Sequence, residues 1–145
     1  ARGYTAAMRS FPITTLPVPT RQRCQMLEVT HQVQDAVRQA GVRDGMVIVH
    51  VPHTTAAITI NENADPDVKH DMLRKLETLI PKHESYYQHA EGNSDSHVKT
   101  SLVGNSVTVL IENGRLVLGT WQGIQFCEFD GPRQRSLQIK VVSFD

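Results

Sequence analysis

The last third of the chain constrains the fold most, because it is a series of apolar strands joined by tight turns. The predicted strands are rich in β-branched residues and cover Val107–Glu112, a stretch ending at Leu118, Ile124–Phe129 and Leu137–Val142. The dipeptide Asn113-Gly114 is typical of a hairpin turn, and Asp130-Gly131-Pro132 is typical of a turn between strands. This part of the sequence predicts an antiparallel sheet.

Two helices are predicted upstream of these strands. The first covers His31–Ala40, with Thr30 as its N-cap and Gly41 as its terminator. The second begins at Asp65-Pro66, where the aspartate caps and the proline fills the first helical position, and it ends at Pro81. Both segments repeat apolar residues at three- and four-residue steps, so each helix is expected to pack one face on the sheet.

The other segments predict strands and one irregular connection. Met8–Val29 has the pattern of a strand interrupted by prolines, and Ala56–Ile60 predicts a further strand. Met46–Val51 is a continuous β-branched run, which suits a strand buried on both faces. Lys82–Asp95 is polar and unperiodic, as functional or disordered connections are. His97–Val103 fits either a short helix or a strand.

These elements predict an α+β protein in which two main helices accompany one large mixed, mostly antiparallel sheet. At 145 residues the chain is expected to form one domain, 1–145, with residues 1–10 as a tag remnant or flexible arm. Two helices are too few to cover every face and edge of a sheet of this size, so we predict a homo-oligomer.

The composition excludes several classes of partner. Lysine plus arginine and aspartate plus glutamate number 15 each, so no basic field indicates a nucleic-acid partner. No apolar run is long enough to cross a bilayer and no secretion signal is recognisable, so we expect a soluble cytoplasmic protein without a membrane partner. Cys24 and Cys127 are far apart in the sequence and are expected to be reduced thiols.

Histidine is the residue type that most suggests a functional site, since the chain contains seven. His53 follows a proline at a predicted strand end, while His89 and His97 bracket one polar loop. Three imidazoles without a thiolate would leave one position on zinc for water or substrate, as in catalytic sites. The alternative is that these histidines are surface or capping residues.

Three other features have both a functional and a structural interpretation. Glu62 follows a buried strand and suits a general base, or it belongs to a turn that precedes the second helix. Trp121 and Gln122 suit the face and edge of a heteroaromatic ligand, although a lone tryptophan more often lies in a core or interface. Among the basic residues Lys99, Arg115, Arg133 and Arg135, the rigid Gly131-Pro132 sequence favours Arg133 as a phosphate ligand, although exposed arginines are common.

Three stretches together resemble the YjbQ family, also called the UPF0047 or secondary thiamine-phosphate synthase family. They are His53–Val68, His89–Asn93 with His97–Lys99, and Gly114–Gln122. The resemblance extends from about Phe11 to Phe144. It implies a small α+β protein with a large mixed sheet that assembles as a homotrimer.

The resemblance also implies a set of site residues. His53, His89 and His97 fall on the histidines expected to bind a divalent metal, zinc or, with a diphosphate substrate, magnesium. The other positions that match the family pattern are Asn61, Glu62, Asn93, Trp121, Gln122, Glu128 and Arg133. From the resemblance we expect Glu62 and Arg133 to be catalytic. We expect the substrate to be bound by Thr54, Asn61, Asn93, Trp121 and Gln122.

The activity implied by the resemblance is a weak thiamine-phosphate synthase reaction on small phosphorylated or heteroaromatic substrates. In that reaction a pyrimidine diphosphate joins a thiazole phosphate with loss of pyrophosphate. The alternative function is that of a non-catalytic trimer that binds a metal or metabolite. A purely structural metal is a third possibility.

Overall fold

The computed structural model describes residues 7–145, which form nine strands and three helices. The strands are β1 (Arg9–Ser10), β2 (Thr14–Pro19), β3 (Gln25–Glu28), β4 (Gly45–His50), β5 (Ala56–Glu62), β6 (Ser106–Glu112), β7 (Arg115–Leu116), β8 (Gln122–Glu128) and β9 (Gln134–Ser143). The helices are α1 (Thr30–Ala40), α2 (Pro66–Leu79) and α3 (Ser94–Val103). In this range no helix has both the length and the apolar character needed to span a membrane.

The strands form two sheets, and every pairing between the described strands is antiparallel. The larger sheet has six strands in the order β1-β9-β4-β6-β7, with β2 also paired to β9; the smaller has the order β3-β8-β5. The predicted α+β class is confirmed. The single predicted sheet is divided in two because β4 and β5, although consecutive, are separated by residues 51–55, which carry the chain from one sheet to the other.

The predicted N-terminal arm, residues 1–10, extends partly beyond the described residues. Within it, Arg9 and Ser10 form β1 and pair with Ser143 and Val142 of β9.

The main core fills the space between the two sheets, and α1 closes it. Alternate residues of β4 and β9 point inward, and the facing residues of β8 and α1 are equally buried. This group includes Val47, Val49, Leu137, Ile139, Ile124, Phe126, Val33 and Val37. The opposite face of β4 is only half-buried at Met46 and Ile48, so burial of both faces of this strand does not occur within one chain.

Helix α1 ends as predicted but begins differently. Gly41 has a left-handed backbone with φ of 71°, and its N–H donates to Val37 O, which closes the helix. Thr30 is the first helical residue rather than the N-cap. Its hydroxyl instead accepts a hydrogen bond of 2.9 Å from the N–H of Ile124, so it joins α1 to β8.

A second, smaller core lies between the three-stranded sheet and α2. Met26, Ala57, Cys127 and Phe129 are buried there, against the half-buried Met72, Leu73 and Leu76 of α2. Asp65 caps α2 as predicted, because its Oδ1 accepts a hydrogen bond of 2.9 Å from the N–H of Asp67. Cys24 and Cys127 are both free thiols in the described chain.

Helix α3 occupies the segment for which helix and strand both remained open, and its buried face is polar. Lys99, with 1% of its side chain exposed, donates to Asp95 over 2.9 Å and to Glu77 over 3.3 Å. Arg23 forms two hydrogen bonds, of 3.1 and 2.9 Å, with the same Asp95 carboxylate. Burial tends to raise the pKa of Asp95, but the bonds to Arg23 and Lys99 outweigh it and hold the pKa below its usual value. Lys99 is therefore committed to ion pairs within the protein and is not an anion ligand.

Candidate functional site

A polar cleft of about 730 Å³ opens at one end of the space between the two sheets. Three segments meet there: residues 51–55 between β4 and β5, the loop that leads into α3, and the turn between β8 and β9. Six of the ten predicted site residues line this cleft, namely His53, Thr54, His89, Asn93, His97 and Arg133. It is also lined by Thr55, Glu91, Asp130 and Arg135, which are not among the ten predicted site residues.

His53 is held by the backbone of β9. Strand β4 ends opposite Gln138, so the N–H of Ser136 has no partner in β4, and it donates to Nε2 of His53 over 2.9 Å. Because Nε2 accepts, the proton of the neutral ring is placed on Nδ1. Burial, and then the positive charge of Arg135, lower the pKa of His53. His53 is therefore expected to be neutral at neutral pH.

His89 and His97 lie against each other. Their ring centroids are 5.5 Å apart and the rings are inclined by 82°, an edge-to-face contact. His97 is in the first turn of α3, and Gly92, with φ of 69°, turns the loop so that His89 folds back toward it. Nε2 of His89 lies 3.9 Å from a carboxylate oxygen of Glu91. The loop therefore brings together the two histidines that bracket it in the sequence.

The predicted metal ligands do not fit a metal ion as the side chains stand. Imidazole nitrogens are suitable zinc ligands. However, nowhere in residues 7–145 do three histidine, cysteine, aspartate or glutamate side chains come close enough to hold one ion. Nε2 of His53 is also already engaged with the N–H of Ser136. Binding a metal through this atom would require His53 to give up that hydrogen bond.

Arg133 is held by Asp130, at the turn between β8 and β9. Its Nε donates to the backbone oxygen of Asp130 over 2.8 Å, and its Nη2 donates to Oδ2 over 2.9 Å. The same Oδ2 accepts a hydrogen bond of 2.7 Å from Nδ2 of Asn93. A side chain at Gly131 would collide with the backbone of Gln22, so the turn has room only for glycine. The half-exposed guanidinium is thus anchored on one side.

An ion pair between Glu128 and Arg135 lies at the inner end of the cleft and joins the two sheets. Nε and Nη2 of Arg135 donate to the carboxylate over 2.8 and 2.5 Å. The fully buried carboxylate also accepts from the Thr20 hydroxyl and from the backbone N–H groups of Phe129 and Asp130, over 2.7, 3.1 and 3.1 Å. Burial alone would raise the pKa of Glu128, but the bonds from Arg135 and Thr20 outweigh it and lower the pKa. The carboxylate is therefore ionised at neutral pH.

Four predicted site residues lie elsewhere, namely Asn61, Glu62, Trp121 and Gln122. Glu62 and Trp121 border a separate depression of about 410 Å³ beside Asp65 and Pro66. Gln122 pairs with Glu62 across the two strands, and Asn61 adjoins them. The cleft is at the opposite end of this pairing, next to Glu128, and six residue steps of extended strand span about 20 Å. Within one chain, these residues do not join the histidines.

The alternation of buried and exposed positions along β8 and β9 is a sequence signal from which Glu128 and Arg135 could be found. Arg135 is in phase with the buried Leu137 and Ile139, and Glu128 is in phase with the buried Ile124 and Phe126. An acid and a base that each occupy a core position on neighbouring sheets predict a buried ion pair. Asp130 carries no comparable signal, because its residue type is equally common in turns that bind nothing.

In residues 7–145, two packed antiparallel sheets with three helices, and a histidine- and arginine-lined cleft at one end, define a small α+β protein with a polar cleft. The sequence pattern of the "UPF0047 protein YjbQ-like" family matches residues 14–143, and the chain belongs to this family. The family expected from the sequence is therefore confirmed.

Individual relatives agree with this assignment. The chain is 50% identical over 130 residues to the UPF0047 protein YugU of Bacillus subtilis, covering 90% of this chain and 98% of the relative. A solved structure of a YjbQ/UPF0047 family protein from Clostridium acetobutylicum is 52% identical, with a TM-score of 0.87 over 88% of this chain and 98% of the other. A YbjQ-like protein of unknown function from Sulfolobus solfataricus is 28% identical, with a TM-score of 0.89 over 94% of this chain and 99% of the other.

We predict that Glu128→Gln lowers the free energy of unfolding by about 3 kcal/mol at pH 7, because Arg135 is left buried without its counter-charge. Urea denaturation measures the loss.

Since the folded pKa of Glu128 is lowered, its carboxylate stabilises the protein above the unfolded pKa, and this contribution is lost as the pH falls through the folded pKa. The variant should therefore also lose less stability on acidification. The matched control is Glu112→Gln on the exposed end of β6. Equal stability of wild type and Glu128→Gln would contradict the prediction.

Proposed function

We propose that the protein is a transferase that binds a small phosphorylated, heteroaromatic substrate in the polar cleft and has weak thiamine-phosphate synthase activity. The observation that carries the proposal is the convergence of Arg133, two adjacent histidines and a neutral His53 in one cleft of about 730 Å³. Guanidinium and imidazole N–H groups suit phosphate oxygens, and the volume suits a small molecule. The reaction class comes from the family resemblance.

In the proposed reaction the ring nitrogen of a thiazole phosphate attacks the methylene carbon of a pyrimidine diphosphate. The new C–N bond forms as the C–O bond breaks, and pyrophosphate leaves with the electron pair. Asp130 orients Arg133 so that its remaining N–H groups are available to the departing pyrophosphate, whose charge they would stabilise. The Nδ1 proton of His53 would provide a further hydrogen bond to a phosphate oxygen.

Glu62 and Trp121 lie too far from the cleft of their own chain to take the roles expected of them there. These residues are about 20 Å along the strands from the cleft. On one substrate they would act together with the histidines only if a neighbouring subunit presented them. The same separation favours the alternative function, a non-catalytic trimer that binds a metal or metabolite, because the cleft of one chain then lacks its expected general base.

We predict that Arg133→Ala weakens pyrophosphate binding by about tenfold or more, because a charge-assisted hydrogen-bond pair is lost. Isothermal titration calorimetry measures the affinity, and thiamine phosphate formation is measured in parallel. Arg115→Ala, on the distant β7, is the matched control and should match wild type. Pyrophosphate binding without product would support the binding protein, whereas wild-type protein that neither binds pyrophosphate nor forms product would refute the transferase.

We further propose that a divalent metal, zinc by the chemistry of its donors, binds His89 and His97, with His53 as third ligand once it releases Ser136. Magnesium would enter only together with a diphosphate. The adjacency of His89 and His97 supports the proposal.

For the metal we predict that calorimetry with zinc alone shows one site per chain, which His53→Ala, His89→Ala and His97→Ala each weaken by at least about tenfold, as loss of one ligand would. His83→Ala, an exposed histidine outside the cleft, should have no effect. Unchanged zinc binding in the three cleft variants would rule out this set of ligands.

We also propose that the protein is a homotrimer whose subunits meet through the outer face of the six-stranded sheet. Leu110 and Ile13 are 59% and 55% exposed, and Ile48 is half-buried beside a shallow apolar depression of about 200 Å³. An exposed apolar sheet face of this kind is typical of an association surface.

For the assembly we predict that Leu110→Asp converts the trimer to monomer, because a charge would be buried at the interface. Light scattering after gel filtration measures the mass. Leu102→Asp, which changes a leucine of α3 that is 67% exposed, is the matched control and should remain trimeric. A Leu110→Asp protein with the wild-type mass would exclude this face as the interface.

A further inference from the structure

Arg135 is a charged residue in a core position. It follows the inward phase of β9, only 5% of it is exposed, and it nevertheless lines the cleft. A buried arginine is normally used up by its partners, because an unpaired guanidinium N–H group in the interior is costly. The way in which its five N–H groups are used therefore decides whether it can also bind a ligand.

Three of these five N–H groups are occupied. Nε donates to Glu128 over 2.8 Å; Nη2 donates to the second oxygen of Glu128 and, over 2.8 Å, to the hydroxyl of Thr55. Nη1 has no hydrogen-bond acceptor among residues 7–145, and it is not one of the fully buried polar atoms that lack a partner. Nη1 is therefore at least partly accessible, and the cleft is the space that Arg135 lines.

In the ion pair between Glu128 and Arg135, the positively charged residue is the one that lines the cleft. Glu128 is fully buried, and its carboxylate is shared among Arg135, the Thr20 hydroxyl and two backbone N–H groups. Much of its negative charge is thus stabilised by groups other than Arg135. Of the carboxylates that line the cleft, Asp130 is bonded to Arg133 and Asn93, while Glu91 lies beside His89 and Asn93.

We propose that Arg135 is the fixed anion-binding residue at the inner end of the cleft, where the two free N–H groups of Nη1 hold a phosphoryl group of the ligand. This inference rests on the proposed function, since it names the residue that would anchor the phosphorylated substrate. Arg133 then has the second, outer position. Arg133 lies two residues before Arg135, so the Cα atoms of the two arginines are at most about 7 Å apart, and one ligand with two phosphoryl groups can reach both.

Rigidity distinguishes the two arginines. Nε and Nη2 of Arg135 are bonded to the buried Glu128 and Thr55, and its side chain is 6% exposed. The side chain of Arg133 is 52% exposed and bonded to a single residue of its own turn. Arg135 therefore loses less side-chain entropy when an anion binds. We expect it to contribute more than Arg133 to the binding of a single phosphate.

The test uses the intact wild-type protein with inorganic phosphate and pyrophosphate as probes. In protein labelled with ¹⁵N-arginine, the guanidinium signals of Arg135, assigned through their proximity to the Thr55 hydroxyl, should shift and saturate with each probe. Arg135→Lys keeps a positive charge but cannot serve Glu128, Thr55 and a phosphate together, so its affinity for phosphate should fall by about tenfold or more. The matched control is Arg115→Lys, which should bind as wild type does.

The possible outcomes separate this inference from the proposed function. If Arg135→Lys does not fold, the wild-type guanidinium signals still decide the question. Pyrophosphate binding that shifts the signals of Arg133 and leaves those of Arg135 unchanged would overturn the role of Arg135 and leave the proposed function intact. Absence of binding by both probes to wild-type protein would overturn both proposals.

Discussion

The ion pair between Glu128 and Arg135 is the interaction on which the rest of the structure depends. It closes one end of the main core, where each sheet contributes one charged residue in an otherwise apolar phase. Two charges of opposite sign tolerate this burial because each carboxylate oxygen accepts at least two hydrogen bonds. The same pair defines how far the cleft extends between the sheets, so the stability of the fold and the polarity of the site have a common origin.

The cleft exists because the chain crosses between the two sheets twice at the same end, once after β4 and once after β8. After β4 the chain crosses to the smaller sheet, which leaves the first part of β9, residues 134–137, without a partner on that side. His53 replaces the missing strand by accepting the hydrogen bond of Ser136, and the turn after β8 places Arg133 beside it. Helix α3 closes the third side through the buried ions around Asp95 rather than through an apolar face.

Local signals in the sequence predict local structure well in this chain. The Asp65-Pro66 helix start, the Gly41 terminator and the Asn113-Gly114 turn each depend on the conformation of one or two residues, and each occurs as predicted. Helix α3 was ambiguous because its buried residues, among them Asp95 and Lys99, are polar and give no apolar periodicity. The split into two sheets depends on where residues 51–55 lead, which no local pattern determines. For the site, the loop around Gly92 brings His89 and His97 into contact, which their spacing in the sequence indicates only weakly. The distance of Glu62 and Trp121 follows from strand direction, which is decided by the whole topology.

The hydrogen bond between Ser136 and His53 has a consequence for ligand capture. The lone pair on Nε2 of His53 is already used by the sheet edge. A cation that binds Nε2 would leave the N–H of Ser136 without a hydrogen-bond acceptor. A buried backbone N–H group without an acceptor costs about 1–3 kcal/mol, which is equivalent to roughly one or two powers of ten in affinity. Any cation bound through Nε2 of His53 would therefore lose this much affinity, because it competes with the protein's own backbone for the imidazole.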